Sequence, residues 1–420
     1  MSVRAKRLVV VGQGYVGLPL SVRAVEAGYD VVGVDVDSTK CSALNRGVSY
    51  IDDVCDAQLG AALRTGRFEA KADFDNLGDF DYAVITVPTP LRETLPDLRF
   101  IESATRSIAP HVSLGSTVVL ESTTSPGTTA ELVVPLLESG SGLTAGRDFH
   151  VGYSPERIDP GNRHWSFETT PKVVSGIDAA SLASVTALYD DLVETTVPVS
   201  GTREAELAKL IENTFRHVNI ALVNELAIAA HELGIDAWEA IEAAGSKPFG
   251  FMKFTPGPGV GGHCLPVDPS YLSWEVRRKL GRGFRFIDLA NEINAHMPEH
   301  VVTRVESLLN DSAIAVRGAR VLIVGLAYKA DTGDVRESPA LRVAEILRSK
   351  GAVVVAADPH VTARDWPLGV EQVDLTRETA ASADVCVVLT PHAALDLDAL
   401  RGALVLDTRN VVSHDHVVTL

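Results

Sequence analysis

The chain has 420 residues, 46% of them hydrophobic and 22% charged, which is more than one hydrophobic core usually serves, so two or three domains are expected. A net charge of −17 argues against nucleic acid and anionic membrane surfaces, both bound through clustered lysine and arginine, while an anionic small molecule in a locally cationic pocket stays open. No apolar run approaches the roughly 20 residues of a spanning helix, and the run Leu8–Val11 is too short for a signal-peptide core, so a cytoplasmic protein is expected. The cysteines Cys41, Cys55, Cys264 and Cys386 are scattered without metal-ligand spacing or a disulfide framework, so neither zinc nor disulfides are expected.

From Leu8 to about Ser154, short apolar runs alternate with helical stretches. "LVVVG", "VVGVDVD", "YAVITVP", "STVVLEST" and "FHVGYSP" read as the strands of a doubly wound parallel sheet. The first run leads into "GQGYVG", where Gly12, Gly14 and Gly17 have the GxGxxG spacing between a strand and a helix. Gly12 permits the turn, Gly14 lets a pyrophosphate approach the backbone, and Gly17 lets helix and strand pack closely. Asp35 ends the second strand about 20 residues on, where a carboxylate accepts ribose hydroxyls and repels a 2′-phosphate. NAD is therefore the expected cofactor. The loops "VPTP" and "ESTTSPGT" follow strands three and four and are expected to line the cofactor crevice, although proline turns without that role have the same appearance. The expected cofactor contacts are Gly12, Gly14, Tyr15, Val16, Gly17, Asp35, Lys40, Pro88, Thr89 and Ser122.

Residues from Thr202 to Leu233 contain no proline or glycine before Gly234 and are too densely apolar for one narrow stripe. They predict a long helix ending at a glycine C-cap, either a dimer interface or an internal core helix. Lys209 and Asn213 lie one turn apart on it and share a face. A second α/β unit begins near Arg320, with "RVLIVGLAY", "AVVVAADPH", "ADVCVVLTP" and "ALVLDT" as strands. Its single glycine, Gly325, suits a mononucleotide better than a dinucleotide. The fold expected is α/β, two Rossmann-like doubly wound parallel-sheet domains joined by the central helix, with boundaries at 1–201, 202–316 and 317–420.

Between helix and second unit stands "PGPGVGGHCLPVDP". Cys264 sits among Gly261, Gly262 and Pro266, on a loop whose backbone can approach a ligand, with His263 beside it to favour the thiolate. Taken alone, a buried inert thiol explains such a cysteine better than a nucleophile does. A hydride acceptor, a thiol, Lys209, Asn213, Glu156 and Asp268 together suggest alcohol oxidation through a covalently held aldehyde.

"GQGYVGLP", "VPTPL", "ESTTSPGT", "YSPERIDPGN", "ELAKLIENTFRHVNIALVNE", "PGPGVGGHCLPVDP" and "YKADTGDVRESP" resemble, in order and over nearly the whole chain, the nucleotide-sugar 6-dehydrogenases, the family of the UDP-glucose and UDP-N-acetylhexosamine dehydrogenases. The resemblance implies a four-electron oxidation of a sugar C6 alcohol to a carboxylate with two NAD, in a cytoplasmic homodimer paired through the central helix and serving polysaccharide or glycoside biosynthesis. It implies that Cys264 attacks the aldehyde, that Lys209 stabilises oxyanion charge, and that Asn213 and Asp268 orient water and substrate. Glu156 matches the glutamate of thioester hydrolysis and Thr123 the threonine of the water site. Arg336 and Lys329 fall in the motif that meets cofactor and uridine diphosphate respectively, and Arg157, Phe249, Phe251, Gly261 and Gly262 complete the implied substrate contacts. One departure is the lack of an arginine in "GSKPFGFMKFTPGPGVGGHC", where UDP-glucose enzymes supply one from the partner subunit; Lys247 is the cation available there. "SPERIDPGN" and "KPFGFM" resemble the N-acetylhexosamine branch more than the glucose one, and both the sugar, glucose or N-acetylhexosamine, and the nucleotide, UDP or dTDP, stay open. Two rival readings are a two-electron β-hydroxyacid dehydrogenase, which shares the glycine-rich domain and a helical Lys/Asn pair, and a noncatalytic nucleotide sensor that keeps the fold.

Overall fold

The computed structural model describes residues 4–51, 53–92, 95–158, 165–262 and 265–420. His263 and the expected nucleophile Cys264 lie outside the described residues. The chain divides into two compact units, Met1–Glu212 with Ser270–Lys279, and Asn213–Pro269 with Leu280–Leu420.

The first unit carries strands β1 (Arg7–Val11), β2 (Asp30–Val34), β3 (Phe68–Lys71) and β4 (Tyr82–Ile85), a two-residue ladder of β5 (Leu91–Arg92) and β6 (Leu95–Pro96), then β7 (Thr117–Leu120), β8 (His150–Tyr153), β9 (Lys172–Gly176) and β10 (Thr196–Pro198). Its helices are α1 (Gly17–Glu26), α2 (Ser38–Asn45), α3 (Asp56–Arg64), α4 (Arg99–Ile108), α5 (Val134–Ser141) and α6 (Ala179–Asp190). Eight strands form one sheet in the order β10-β9-β8-β7-β4-β1-β2-β3. Parallel strands covered on both faces must be apolar throughout, which is why "RLVVV" and "YAVI" are almost wholly buried. Alternate side chains feed opposite layers: Leu8 and Val10 pack with Leu18 and Leu59 on one face, Val9 and Val11 with Ile101 and Leu137 on the other. The parallel run breaks at β8 and β9, which pair antiparallel with Gly152 opposite Gly176. A side chain has no room at that crossing, since a Cβ on Gly152 would meet the Ser175 carbonyl oxygen at 2.3 Å.

Helix α7 (Thr202–Glu232, 31 residues) begins in the first unit and ends in the second. Gly234, at φ +70, follows its last turn, and its N–H bonds the His231 carbonyl at 3.1 Å. That left-handed residue ends the helix where the glycine predicts it. Helices α8 (Ala237–Gly245), α9 (Asp268–Leu280) and α10 (Arg285–Asp311) follow, α9 contributing Asp268, Pro269 and Leu280 to the second unit and Ser270–Lys279 to the first.

The second unit holds β11 (Arg320–Val324), α11 (Pro339–Ser349), β12 (Val353–Ala357), β13 (Glu371–Gln372), α12 (Arg377–Ala381), β14 (Val385–Val388), β15 (Val405–Asp407) and β16 (Val417–Thr419). Its six strands are ordered β13-β12-β11-β14-β15-β16 and all pair parallel. Val321 and Ile323 pack under Val301 and Val343, while Leu322 and Val324 meet Ala380 and Leu400 on the opposite face. Among the described residues no helix is long and apolar enough to cross a membrane.

Candidate active site

The glycine loop is built as its spacing predicts. A Cβ on Gly12, which holds φ +98, would lie 2.8 Å from the Thr86 carbonyl oxygen, and one on Gly17 would lie 1.8 Å from the Gly12 carbonyl oxygen. Nothing lies within 4 Å of where a Gly14 Cβ would be, so the backbone there is open to a ligand. Asp35 stands just beyond β2, accepting the Gln13 N–H at 2.9 Å through Oδ2 and the Asp37 N–H at 3.0 Å through Oδ1. Lys40 lies 4.0 Å from it, and Asp37 caps α2 through the N–H groups of Thr39 and Lys40. Thr86 fastens the loop from β4, its hydroxyl donating to the Val11 and Gly12 carbonyls at 3.0 and 2.8 Å. An open Gly14 beside a crowded Gly17, with a carboxylate at the second strand end, fits a dinucleotide. Of the other expected contacts, Tyr15 is exposed and Val16 precedes α1. Pro88 is exposed, Thr89 accepts the Tyr271 hydroxyl at 3.0 Å, and the Ser122 hydroxyl donates to the Val87 carbonyl at 2.7 Å.

Beyond β7 and β8 the first unit buries a charged group that sequence reasoning missed. The Lys172 ammonium, at the start of β9, touches the Glu121 carboxylate and lies 3.0 Å from Glu156 Oε2. Its side chain is 5% exposed and that of Glu121 is 0%, so the three charges share one dry space. Burial pushes Glu121 up to about 7, opposed by Lys172 and reinforced by the Glu156 charge. Burial would raise Glu156 too, but Lys172, the Ile158 N–H and the Lys209 charge hold it below the ordinary range. The Arg157 and Ile158 N–H groups reach Glu156 Oε1 at 2.7 and 2.6 Å. Arg157 itself pairs with Glu212 at 2.7 Å. The signal was faint: a single lysine heading the apolar strand "KVVSG", with its partners many residues away.

A second buried carboxylate, Glu206 on α7, accepts the Gly127 N–H at 2.5 Å and the Thr129 N–H and hydroxyl at 2.8 and 2.7 Å. It thereby holds the loop after β7 that contains half-buried Thr123. Burial raises its proton affinity over the effect of those donors. Lys209, one turn further along, is 8% exposed.

In the second unit Asn213 donates through Nδ2 to Asp268 Oδ2 at 2.5 Å, joining two residues that the sequence places 55 positions apart. Asp268 is 3% exposed and opens α9, where the helix dipole favours a carboxylate. Gly261 and Gly262 pack on the "YKADTGDVRESP" segment: the Gly262 N–H donates to the Arg336 carbonyl at 3.0 Å, and Cβ atoms on Gly261 and Gly262 would lie 2.7 and 2.8 Å from Tyr328. Only glycine allows that approach. The Arg336 guanidinium binds Asp334 at 2.6 Å, and Lys329 is half-buried. Phe249 is 71% exposed and Phe251 43%, with Lys247 over the Phe249 ring at 4.9 Å. Arg409, not foreseen, lies against Gly257, where a Cβ would meet its Nη1 at 2.6 Å; burial pushes it down to about 10.

This unit repeats the first strand-turn device with only the first of its glycines. Gly325, at φ +87, has the Thr390 carbonyl oxygen 2.0 Å from where a Cβ would be. Asp358, just after β12, accepts the Leu326 and Ala327 N–H groups at 2.7 and 3.1 Å and His392 Nε2 at 2.9 Å. Burial would raise Asp358, yet His392 and those N–H groups hold it far below the carboxylate range. Asp331, His360 and His392 lie close enough to suggest a metal. His392 Nδ1, however, accepts the Asp331 N–H at 2.9 Å while Nε2 meets Asp358, so neither ring nitrogen is open to an ion.

Domain models of the UDP-glucose/GDP-mannose dehydrogenase family match three stretches: the NAD-binding domain over residues 6–193, the central domain over 203–296 and the UDP-binding domain over 322–414. The UDP-N-acetyl-D-mannosamine dehydrogenase of Pyrococcus horikoshii is 35% identical, covering 98% of this chain and 97% of its own. The UDP-N-acetyl-D-glucosamine 6-dehydrogenase of Pseudomonas aeruginosa is 38% identical over 86% of this chain and 84% of its own. Among solved structures, that of a UDP-D-ManNAc dehydrogenase from P. horikoshii superposes with a TM-score of 0.89 at 34% identity, covering 98% of both chains.

Proposed function

Since the chain belongs to the UDP-glucose/GDP-mannose dehydrogenase family, uses NAD and acts on a nucleotide sugar, we propose that it oxidises the C6 alcohol of a UDP-linked N-acetylhexosamine to the uronic acid through an enzyme thioester. N-acetylmannosamine is the foremost candidate, because relatives matched over nearly the full chain bear that substrate in their names. The overall change is RCH2OH + 2 NAD+ + H2O → RCOO− + 2 NADH + 3 H+, NAD accepting a hydride in each oxidation.

The observation that carries this reading lies beside the cysteine loop. Asp268, four positions after Cys264, is buried and bonded to Asn213, and Gly261 and Gly262 are pressed on the "YKADTGDVRESP" segment. In the proposed reaction the Cys264 thiolate adds to the C6 aldehyde; loss of hydride from C6 then converts the thiohemiacetal to a thioester. Water attacks the thioester carbon, the C–S bond breaks, and the thiolate leaves. Lys209 stabilises the oxyanion, Asn213 and Asp268 orient water and substrate, Glu156 takes the proton of the attacking water, and Thr123 lines the water's site. Gly12, Gly14, Tyr15, Val16, Gly17, Asp35, Lys40, Pro88, Thr89, Ser122 and Arg336 hold NAD. Arg157, Phe249, Phe251, Gly261, Gly262 and Lys329 join the catalytic groups in holding the nucleotide sugar. A β-hydroxyacid dehydrogenase has no use for a UDP-binding domain.

The reading extends to a homodimer. Phe215, Leu222 and Leu226 on α7, and Leu233 just past its end, are each about half exposed or more, at intervals of seven, four and seven residues, the spacing of one apolar helix face. A second copy of the same helix matches that face.

The test is Cys264→Ser with NAD and UDP-N-acetylmannosamine. Acid formation should disappear while NAD binding, followed by titration calorimetry, stays unchanged. Full acid formation in this variant would sink the thioester mechanism.

A further inference from the structure

Glu121 and Lys172 have no part in the chemistry above, yet they are among the most deeply buried charged groups of the first unit. One ammonium is held between two carboxylates: Glu121 comes from the end of β7, Glu156 from beyond β8, and Lys172 from the start of β9. The surroundings offer little else. The rings of Phe167 and Tyr189 lie 5.4 and 5.3 Å from the Lys172 ammonium, and the Tyr189 phenol, held neutral by burial and by the Glu121 charge, adds no charge. Lys209 acts on Glu156 from α7. With every group ionised, both anions press on the one ammonium they touch while the Lys209 charge supports Glu156 alone, an arrangement that invites a proton onto Glu121.

We propose that Glu121 and Lys172 are positioning residues for the hydrolytic step, Glu121 setting how strongly Glu156 takes a proton through the one lysine that both carboxylates share. This rests on Glu156 being the base of that step. When Glu121 carries a proton, the ammonium faces Glu156 alone and Glu156 is a weak base. When Glu121 is ionised, the ammonium is divided and the second anion strengthens Glu156 as a proton acceptor. The step stays balanced: one proton passes from the attacking water to the Glu156 carboxylate, hydroxide oxygen bonds to the thioester carbon, and the sulfur leaves as thiolate. Lys172 also fixes the carboxylate's direction, since Oε2 is tied to the ammonium while Oε1 accepts the Arg157 and Ile158 N–H groups.

Two measurements on the full-length enzyme test this. Infrared pH-difference spectra of the ligand-free protein should contain a buried carboxyl band titrating near neutrality, where burial puts Glu121 at about 7, and Glu121→Gln should remove it. In rapid-quench experiments with NAD and UDP-N-acetylmannosamine, acyl-enzyme hydrolysis in the wild type should accelerate through the same pH range. E121Q should lose that rise and hydrolyse about three- to tenfold more slowly at pH 8, leaving the first hydride transfer unchanged. Glu121→Asp, which retains a titrating acid, should recover part of the rise. A band that persists in E121Q, or an unaltered pH profile in a variant lacking it, overturns the inference while leaving Glu156 as the base. Unchanged hydrolysis in Glu156→Gln overturns the base assignment itself, and the inference with it.

Discussion

Replacing Glu206 by alanine removes the acceptor for three buried donors: the N–H groups of Gly127 and Thr129 and the Thr129 hydroxyl. A buried donor left without a partner costs about 1–3 kcal/mol. Three at the low end give about 3 kcal/mol, to which a truncated side chain adds lost packing and from which the relieved burial of a carboxylate subtracts. A net loss of about 2–4 kcal/mol is expected, which for a unit of this size lowers the melting temperature by about 5–15 °C. Glu206→Gln keeps one acceptor oxygen and turns an NH2 group toward the remaining donor, so it should fall between wild type and alanine. Scanning calorimetry provides the readout, with NAD titration as a second, since Glu206 fixes the loop that carries Ser122 and Thr123. A Glu206→Ala protein melting within about 1 °C of wild type would refute the claim that this carboxylate holds the loop.

Asp35→Ala should weaken NAD by about tenfold, the worth of one hydrogen bond to an ionised group at the low end of its range, and relax discrimination against NADP. An unchanged preference in parallel titrations would contradict the ribose assignment. Leu222→Glu with Leu226→Glu should convert the proposed dimer to monomer by sedimentation velocity, because two carboxylates would be buried without partners in the paired face. A dimer that survives both substitutions would place the interface elsewhere.

Much of this was legible where chemistry is local in the chain. The glycine loop and Asp35 lie within one strand-helix-strand unit, so their spacing alone specifies a backbone that the structure then builds, down to the crowded Gly17 and open Gly14. Helix α7 could be read nearly residue by residue because it lacks internal breakers and stops at Gly234. What escaped was assembled across distance. Lys172 is one lysine at the start of an apolar strand, and only the order of β7, β8 and β9 in the sheet brings Glu121 and Glu156 to it. Glu206 was hidden because a helical glutamate reads as solvated until the loop it serves is known. The reversal between β8 and β9 was equally unreadable, since "KVVSG" is as apolar as its parallel neighbours and carries no mark of direction.

The central claim is a four-electron oxidation, and counting NADH against sugar tests it most directly. UDP-N-acetylmannosamine, run to completion with excess NAD beside the UDP-linked glucosamine, galactosamine and glucose relatives, should give two NADH per sugar consumed and the corresponding uronic acid. One NADH per sugar, with aldehyde as the product, would contradict the account.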